Sequence, residues 1–207
     1  MKSTSIPGEG FVKAFAPDGH LRYEPNWLAA SCADGLVAVL ETEIEWQARS
    51  IEMFGKAILQ PRLLCFQGDH GVRYRYSGAT FNADPWHPAV AELCRRLNAQ
   101  TGQRFNSVLL NRYRDGRDSM GWHADDEPEL GRNPTIVSIS VGARRRFVLR
   151  RRKCPAERFE LAPEHGSLMI MSGDLQHNWQ HQVPKTARPV GERFNLTFRT
   201  IRADRQA

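Results

Sequence analysis

The chain has 207 residues, a formal charge of +6 at pH 7 and a sequence pI of about 9.5. That length supports one domain with a substantial core, and no apolar run is long enough to span a bilayer as a helix. Cys32, Cys65, Cys94 and Cys154 lack the paired spacing of a zinc site or redox dithiol, and the opening MKSTSIPGEG lacks a signal peptide's apolar stretch. The expectation is a monomer with free thiols, away from membranes, in a reducing compartment: cytoplasmic, or nuclear in a eukaryote.

In chain order, residues 1–20 carry Gly and Pro without pattern and read as a loose segment. The stretch DGLVAVLETEIEWQARSIE predicts an amphipathic helix over 34–52, opened by Asp34 as cap. PAVAELCRRLNAQ predicts a second over 88–100, with Pro88 in its first turn and Gly102 past its end. From about 105 onward FNSVLLNRY, TIVSISVG, RRFVLRR, GSLMIMSG and RFNLTFRTI are short, β-rich and separated by turn residues. Helices followed by many strands indicate an α+β fold. An antiparallel sandwich or jelly roll over 105–207 is supported by helices from 21–104, in one structural domain. RRRFVLRRRK, residues 144–153, concentrates the positive charge and points to a polyanionic partner, nucleic acid first; a merely solubilising surface is the plain alternative.

The segment WHADDE, residues 122–127, brings a histidine and three carboxylates together. A solvated acidic loop is the plain reading. On a strand, however, His123 and Asp125 return to one face and can converge on a metal ion. His165, before Gly166, reads as a turn or surface residue. His177 and His181 in QHNWQHQVP are four apart, so on a strand they share a face, and parity leaves both open as a third ligand. Two histidines and a carboxylate leave open positions on iron, as in non-haem Fe(II) oxygenases, though zinc hydrolases use similar sets. In RFNLTFR the polar Arg193, Asn195, Thr197 and Arg199 share one face. Phe194, Leu196 and Phe198 share the other, which is expected to pack into the sandwich. Asn111 and Tyr113 share a face with Leu109 in NSVLLNRY. Inward arginines are costly unless an anion meets them. A dicarboxylate that chelates the metal at one end and meets arginine at the other explains both features.

Taken in order from about Phe54 to Ile201, NRYRDGRDSMGWHADDEPELG, HGSLMIM, WQHQVPK and RFNLTFR carry a resemblance. The chain resembles the AlkB family of Fe(II)- and 2-oxoglutarate-dependent nucleic-acid dealkylating dioxygenases, in the branch of the second and third human homologues. The resemblance implies a double-stranded β-helix core, with residues 21–104 supplying helices and a substrate-recognition lid. It implies Fe(II) on His123, Asp125 and His181, with His177 a bystander. It further implies 2-oxoglutarate held by Asn111, Tyr113, Arg193 and Arg199, with Asn195 and Thr197 in support and Arg199 also holding Asp125.

The implied activity is DNA repair: oxidative demethylation of 1-methyladenine and 3-methylcytosine in DNA, releasing formaldehyde, succinate and carbon dioxide. A same-fold oxygenase acting on RNA, and a nucleic-acid-binding protein with a non-catalytic metal site, are the alternatives. For the base, Tyr74 and Tyr76 of VRYRYSG line the pocket by resemblance; an aromatic pair in the core is the plain reading. Asp126 and Glu127 are placed to favour a cationic methylated ring. A solvated loop position suits Glu127 better than Asp126. Phe54 occupies the place of a wedge inserted into a duplex, against a packed core aromatic. Arg62 is a phosphate contact, or an ordinary surface arginine.

Overall fold

The computed structural model describes residues 20–53, 56–76 and 79–202; the side chains of 20, 51–53, 56, 57, 75, 76, 79 and 80 fall outside that description. Phe54 and the side chain of Tyr76 therefore lie outside the described residues. The N-terminal half runs β1 (His20–Glu24), α1 (Ala30–Thr42), β2 (Gln47–Met53), β3 (Lys56–Gly68), β4 (Arg73–Tyr76), β5 (Ala79–Asn82) and α2 (Pro88–Thr101). The rest is almost all strand: β6 (Ser107–Tyr113), β7 (Met120–His123), β8 (Ile136–Gly142), β9 (Phe147–Arg151), β10 (Arg158–Leu161) and β11 (Ser167–Ser172). A short α3 (Leu175–Asn178) then leads into β12 (Trp179–Val183) and β13 (Arg193–Arg199). None of the described helices is long and apolar enough to cross a membrane.

Seven strands form a major sheet in the order β1-β11-β8-β13-β6-β3-β2, and four a minor sheet, β10-β9-β12-β7. The β4–β5 hairpin stands apart. All these named pairings are antiparallel, which is the jelly roll expected. The segment before residue 105 supplies more than helices and a lid, because β1, β2 and β3 complete the major sheet.

Helix α2 follows its sequence closely. Pro88 opens it, the His87 ring accepts the Ala89 N–H, and Gly102 ends it with φ of 69°, a left-handed conformation that glycine adopts freely. The 34–52 helix is corrected. The helix runs from Ala30 to Thr42, with no side-chain cap, so Asp34 sits inside it. Residues 47–53 form β2 instead, paired to β3. The helix ends before Trp46, whose indole N–H donates to the Leu40 carbonyl at 2.7 Å and satisfies one of its terminal acceptors. Beyond that point, pairing with β3 outweighs helical periodicity.

The major sheet separates two cores. On one face, Val108, Leu110, Ile139, Phe194, Leu196 and Phe198 pack with Leu36 and Leu40 of α1 and Leu93 and Leu97 of α2. On the other, Leu109, Tyr113, Met169 and Met171 meet Met120, Phe147, Leu149 and Trp179 from the minor sheet. The expected packing of β13 is therefore corrected. Its phenylalanines lie under the helices, outside the sandwich, and its polar residues face the space between the sheets. Every residue of β13 is buried as a result.

Candidate functional site

The minor sheet builds one side of the site. Pairing of β12 with β7 sets His181 opposite His123, with ring centroids 4.1 Å apart. Strand β7 ends at His123, so Asp125 is fixed by other means than strand parity. Its backbone N–H donates to Gln176 Oε1 at 3.0 Å. Its Oδ1 accepts from Arg199 Nη2 at 2.5 Å, and its Oδ2 lies 3.7 Å from His181 Nε2. One ligand atom from each of His123, Asp125 and His181 lies within 4.8 Å of the others. His177 is on α3 rather than a strand, so the shared face expected for His177 and His181 does not exist; the His177 ring accepts the Asn133 N–H at 3.4 Å.

The protonation states suit a cation. Burial lowers the His123 pKa, and its Nδ1 sits 2.9 Å from the Gly121 carbonyl. A carbonyl can only accept, so Nδ1 carries the hydrogen and Nε2 is left as a lone-pair donor. Burial, and then the neighbouring His123, push His181 down to about 3. Burial alone would raise the Asp125 pKa, but Arg199 and then the two histidines hold it at about 2. Two neutral imidazoles and one carboxylate are the forms a divalent metal requires.

The major sheet supplies the opposite wall. Arg193 faces Tyr113 across β13 and β6, and Asn195 faces Asn111. Together with the three metal-ligand candidates they line one cleft of about 440 Å³, counting its mouth. Arg193 is 2% exposed. Its Nη2 donates to Ser140 Oγ at 2.9 Å, while Nε and Nη1 have no partner among the described residues. Burial lowers its pKa. A buried cation with two idle donors is matched by a carboxylate, and so the residues fit both the metal and a dicarboxylate. Arg199 is already engaged with Asp125, which raises its pKa against the effect of burial. Asn195 and Thr197 are largely satisfied within the wall: Asn195 Nδ2 donates to Ser138 Oγ and to the Ile139 carbonyl, and Thr197 donates to Asn195.

On the substrate side, Tyr74 is buried, 5.8 Å from the Phe66 ring, with the Arg199 guanidinium 5.6 Å from its own ring. It is thus a core aromatic that packs behind Arg199, without lining the cleft of the metal-ligand candidates. The ranking of the two carboxylates is reversed. Asp126 is exposed and paired with Arg152 at 2.5 Å. Glu127 is half-buried against Tyr74 and Arg199, and burial followed by the Asp125 charge raises its pKa to about 7.

Arg62 is also corrected. Neither a surface arginine nor an outward phosphate contact, it is 3% exposed, and its Nε donates to Asn111 Oδ1 at 2.7 Å. Alternation along β3 turns it inward. Within the basic segment, Arg145 is buried on the carbonyls of Asp115, Asp118 and Pro184, so it adds nothing to a surface patch. Arg150 lies over the Trp122 ring at 4.2 Å and donates to Gln180 Oε1. Gln176 and Arg145 escaped sequence reasoning because neither sits in a periodic pattern that marks a buried polar residue.

Residues 20–199 match the family described as the 2OG-Fe(II) oxygenase superfamily. The chain is 39% identical over 189 residues to human "Alpha-ketoglutarate-dependent dioxygenase alkB homolog 3", covering 87% of this chain and 65% of that protein. It therefore spans a little under two thirds of that relative's length. It is 40% identical over 213 residues to Bos taurus "DNA oxidative demethylase ALKBH2", covering 95% of this chain and 77% of the relative. In solved structures it resembles OsALKBH1 with a TM-score of 0.62 at 14% identity, covering 91% of this chain and 99% of that one, a likeness of fold. With these matches over a His-Asp-His cluster set between two antiparallel sheets, the chain belongs to the 2OG-Fe(II) oxygenase superfamily.

Proposed function

We propose that the protein is an Fe(II)- and 2-oxoglutarate-dependent dioxygenase that removes methyl groups from ring nitrogens of DNA bases, with 1-methyladenine and 3-methylcytosine as its substrates. The observation that carries this reading is one cleft holding His123, Asp125, His181 and the two idle donors of Arg193. The names of relatives support DNA as the substrate: ALKBH2 of Bos taurus and of Homo sapiens is a DNA oxidative demethylase.

Bound iron, 2-oxoglutarate and dioxygen would supply the oxidising chemistry: one oxygen atom of dioxygen would go to the cosubstrate, which loses carbon dioxide to become succinate, and the other to the methyl carbon. The resulting N-hydroxymethyl group breaks its N–C bond, releasing formaldehyde and a proton and leaving the neutral base. The chain's own residues hold the parts in place. Gln176 and Arg199 fix Asp125 from its backbone and side-chain ends, and the Gly121 carbonyl fixes the His123 tautomer. Arg193 receives the far carboxylate beside Tyr113. Tyr74 and Glu127 would meet the flipped base; burial raises the Glu127 carboxyl to about 7, so a ring made cationic by methylation would both draw it to its anionic form and be favoured by it.

The test is formaldehyde release from methylated oligonucleotides, comparing DNA with RNA and single with double strands, with and without 2-oxoglutarate. Release from DNA that depends on iron and cosubstrate is expected. Release from RNA alone would transfer the reading to RNA, and no release from either would end it.

A further inference from the structure

We infer that Arg62 is a positioning residue for the cosubstrate, acting through the side-chain amide of Asn111; this rests on the 2-oxoglutarate reading above. Arg62 lies on β3, the strand next to β6 in the major sheet, and is 3% exposed. It does not line the cleft, whereas Asn111 does. Among the described residues no carboxylate pairs with Arg62. Its Nε donates to Asn111 Oδ1 at 2.7 Å, and its Nη2 is buried without a partner. Burying a guanidinium this way is costly, and an apolar residue of similar size would fill the space more cheaply. The bond to Asn111 is what the charge secures.

The chemistry of that bond sets its direction. Arginine has donors and no acceptor, so the end of the amide it holds must be the oxygen. The amide nitrogen is then the end left for a ligand in the cleft, and no described residue takes it. A donor there matches a carboxylate or keto oxygen of 2-oxoglutarate. If nothing held Oδ1, the amide could rotate by half a turn and set its oxygen against those oxygens. Arg62 removes that alternative. A freely turning amide spends about half its time in the productive state and weakens binding about two-fold. Loss of the whole bond weakens it about ten-fold. The expected effect lies between these limits.

The experiment is anaerobic calorimetric titration of 2-oxoglutarate into the Fe(II)-loaded protein, with parallel measurement of bound iron. Arg62→Met should raise the cosubstrate Kd by about two- to ten-fold while iron loading stays at the parent level. Arg62→Lys keeps a donor and a charge and should recover part of the loss. In an Asn111→Ala background, Arg62→Met should change the Kd no further, because the group it positions is gone. A parent-like Kd in Arg62→Met overturns the inference, and so does an undiminished effect in the Asn111→Ala background. Loss of iron from both Arg62 variants would make Arg62 a support of the fold and overturn it as well. A parent protein that binds no 2-oxoglutarate would instead sink the functional reading itself.

Discussion

Replacing Arg193 by methionine separates the energetics of the fold from those of the ligand. In the parent, Arg193 is 2% exposed; among the described residues its Nε and Nη1 have no partner, and its Nη2 donates to Ser140. Removing it gives up that bond, worth about 1 kcal/mol, and a contact with the Tyr113 ring at 5.2 Å, worth about 0.5–2 kcal/mol. Against this stands relief of a buried, unpaired charge, which costs several kcal/mol in typical proteins. Without cosubstrate, Arg193→Met should therefore be at least as stable as the parent. With cosubstrate the order reverses. A charge-assisted bond is worth about 1.5–3 kcal/mol, so the variant should bind 2-oxoglutarate roughly 10- to 100-fold more weakly. At a concentration about 100 times the parent Kd, the parent gains about 2.7 kcal/mol and the variant only about 0.4–1.4 kcal/mol. At roughly 2–4 °C per kcal/mol for a chain of this size, the parent's Tm should rise by about 5–10 °C. The assay is thermal unfolding of Mn(II)-loaded protein with and without 2-oxoglutarate, where no turnover intervenes. Equal shifts in parent and variant would refute the placing of the far carboxylate on Arg193.

Three further outcomes are expected. His123→Ala, Asp125→Ala and His181→Ala should each lose bound iron, measured by metal analysis after desalting, while His177→Ala keeps it, since His177 sits on α3 beside Asn133. Glu127→Gln should lower demethylation of cationic 1-methyladenine and 3-methylcytosine by on the order of ten-fold relative to neutral 1-methylguanine and 3-methylthymine; Asp126→Asn should shift that ratio less, because Arg152 already pairs with Asp126. Neutralising Arg150, Arg151 and Arg152 together should flatten the salt dependence of DNA binding by less than the ~0.7–0.9 per arginine of a free phosphate contact. Two of the three already face acids, Glu157 and Asp126, and a loss of the full slope would show that these pairs open on DNA.

The parts legible in the sequence are those where one periodicity serves one purpose. Alternation on β6 and β13 placed Asn111, Tyr113, Arg193 and Arg199 on one face, where they line the cleft. Pro88 and Gly102 bounded α2. The losses arise where tertiary contacts decide. The 34–52 stretch keeps a helical pattern beyond residue 43, yet β3 offers it a partner and residues 47–53 become strand. Arg62 looks like any charged residue beside a proline, and its inward turn follows only from the pairing of β3 with β6. Asp126 and Glu127 are neighbours of similar chemistry; that one meets Arg152 and the other Tyr74 depends on chain segments remote in sequence.

Strand β13 shows why site and fold are hard to separate in this protein. Its seven residues are all buried, with the aromatic set under the helices and the polar set toward the metal ligands. A slip of one residue would drive Phe194 and Phe198 into the cleft and bury Arg193 and Arg199 against leucines. The register is therefore held by hydrophobic burial on one side and by ion pairing on the other. Arg199 meets its anion within the chain, at Asp125. Among the described residues Arg193 has none, and an anionic ligand would complete the balance of that face. Cosubstrate bound at Arg193 would thus stabilise the strand that also carries Arg199, the arginine holding Asp125 in place. On the function proposed above, the protein without 2-oxoglutarate should be easier to unfold than the protein saturated with it, because the Arg193 donors that no described residue takes then stay unmatched.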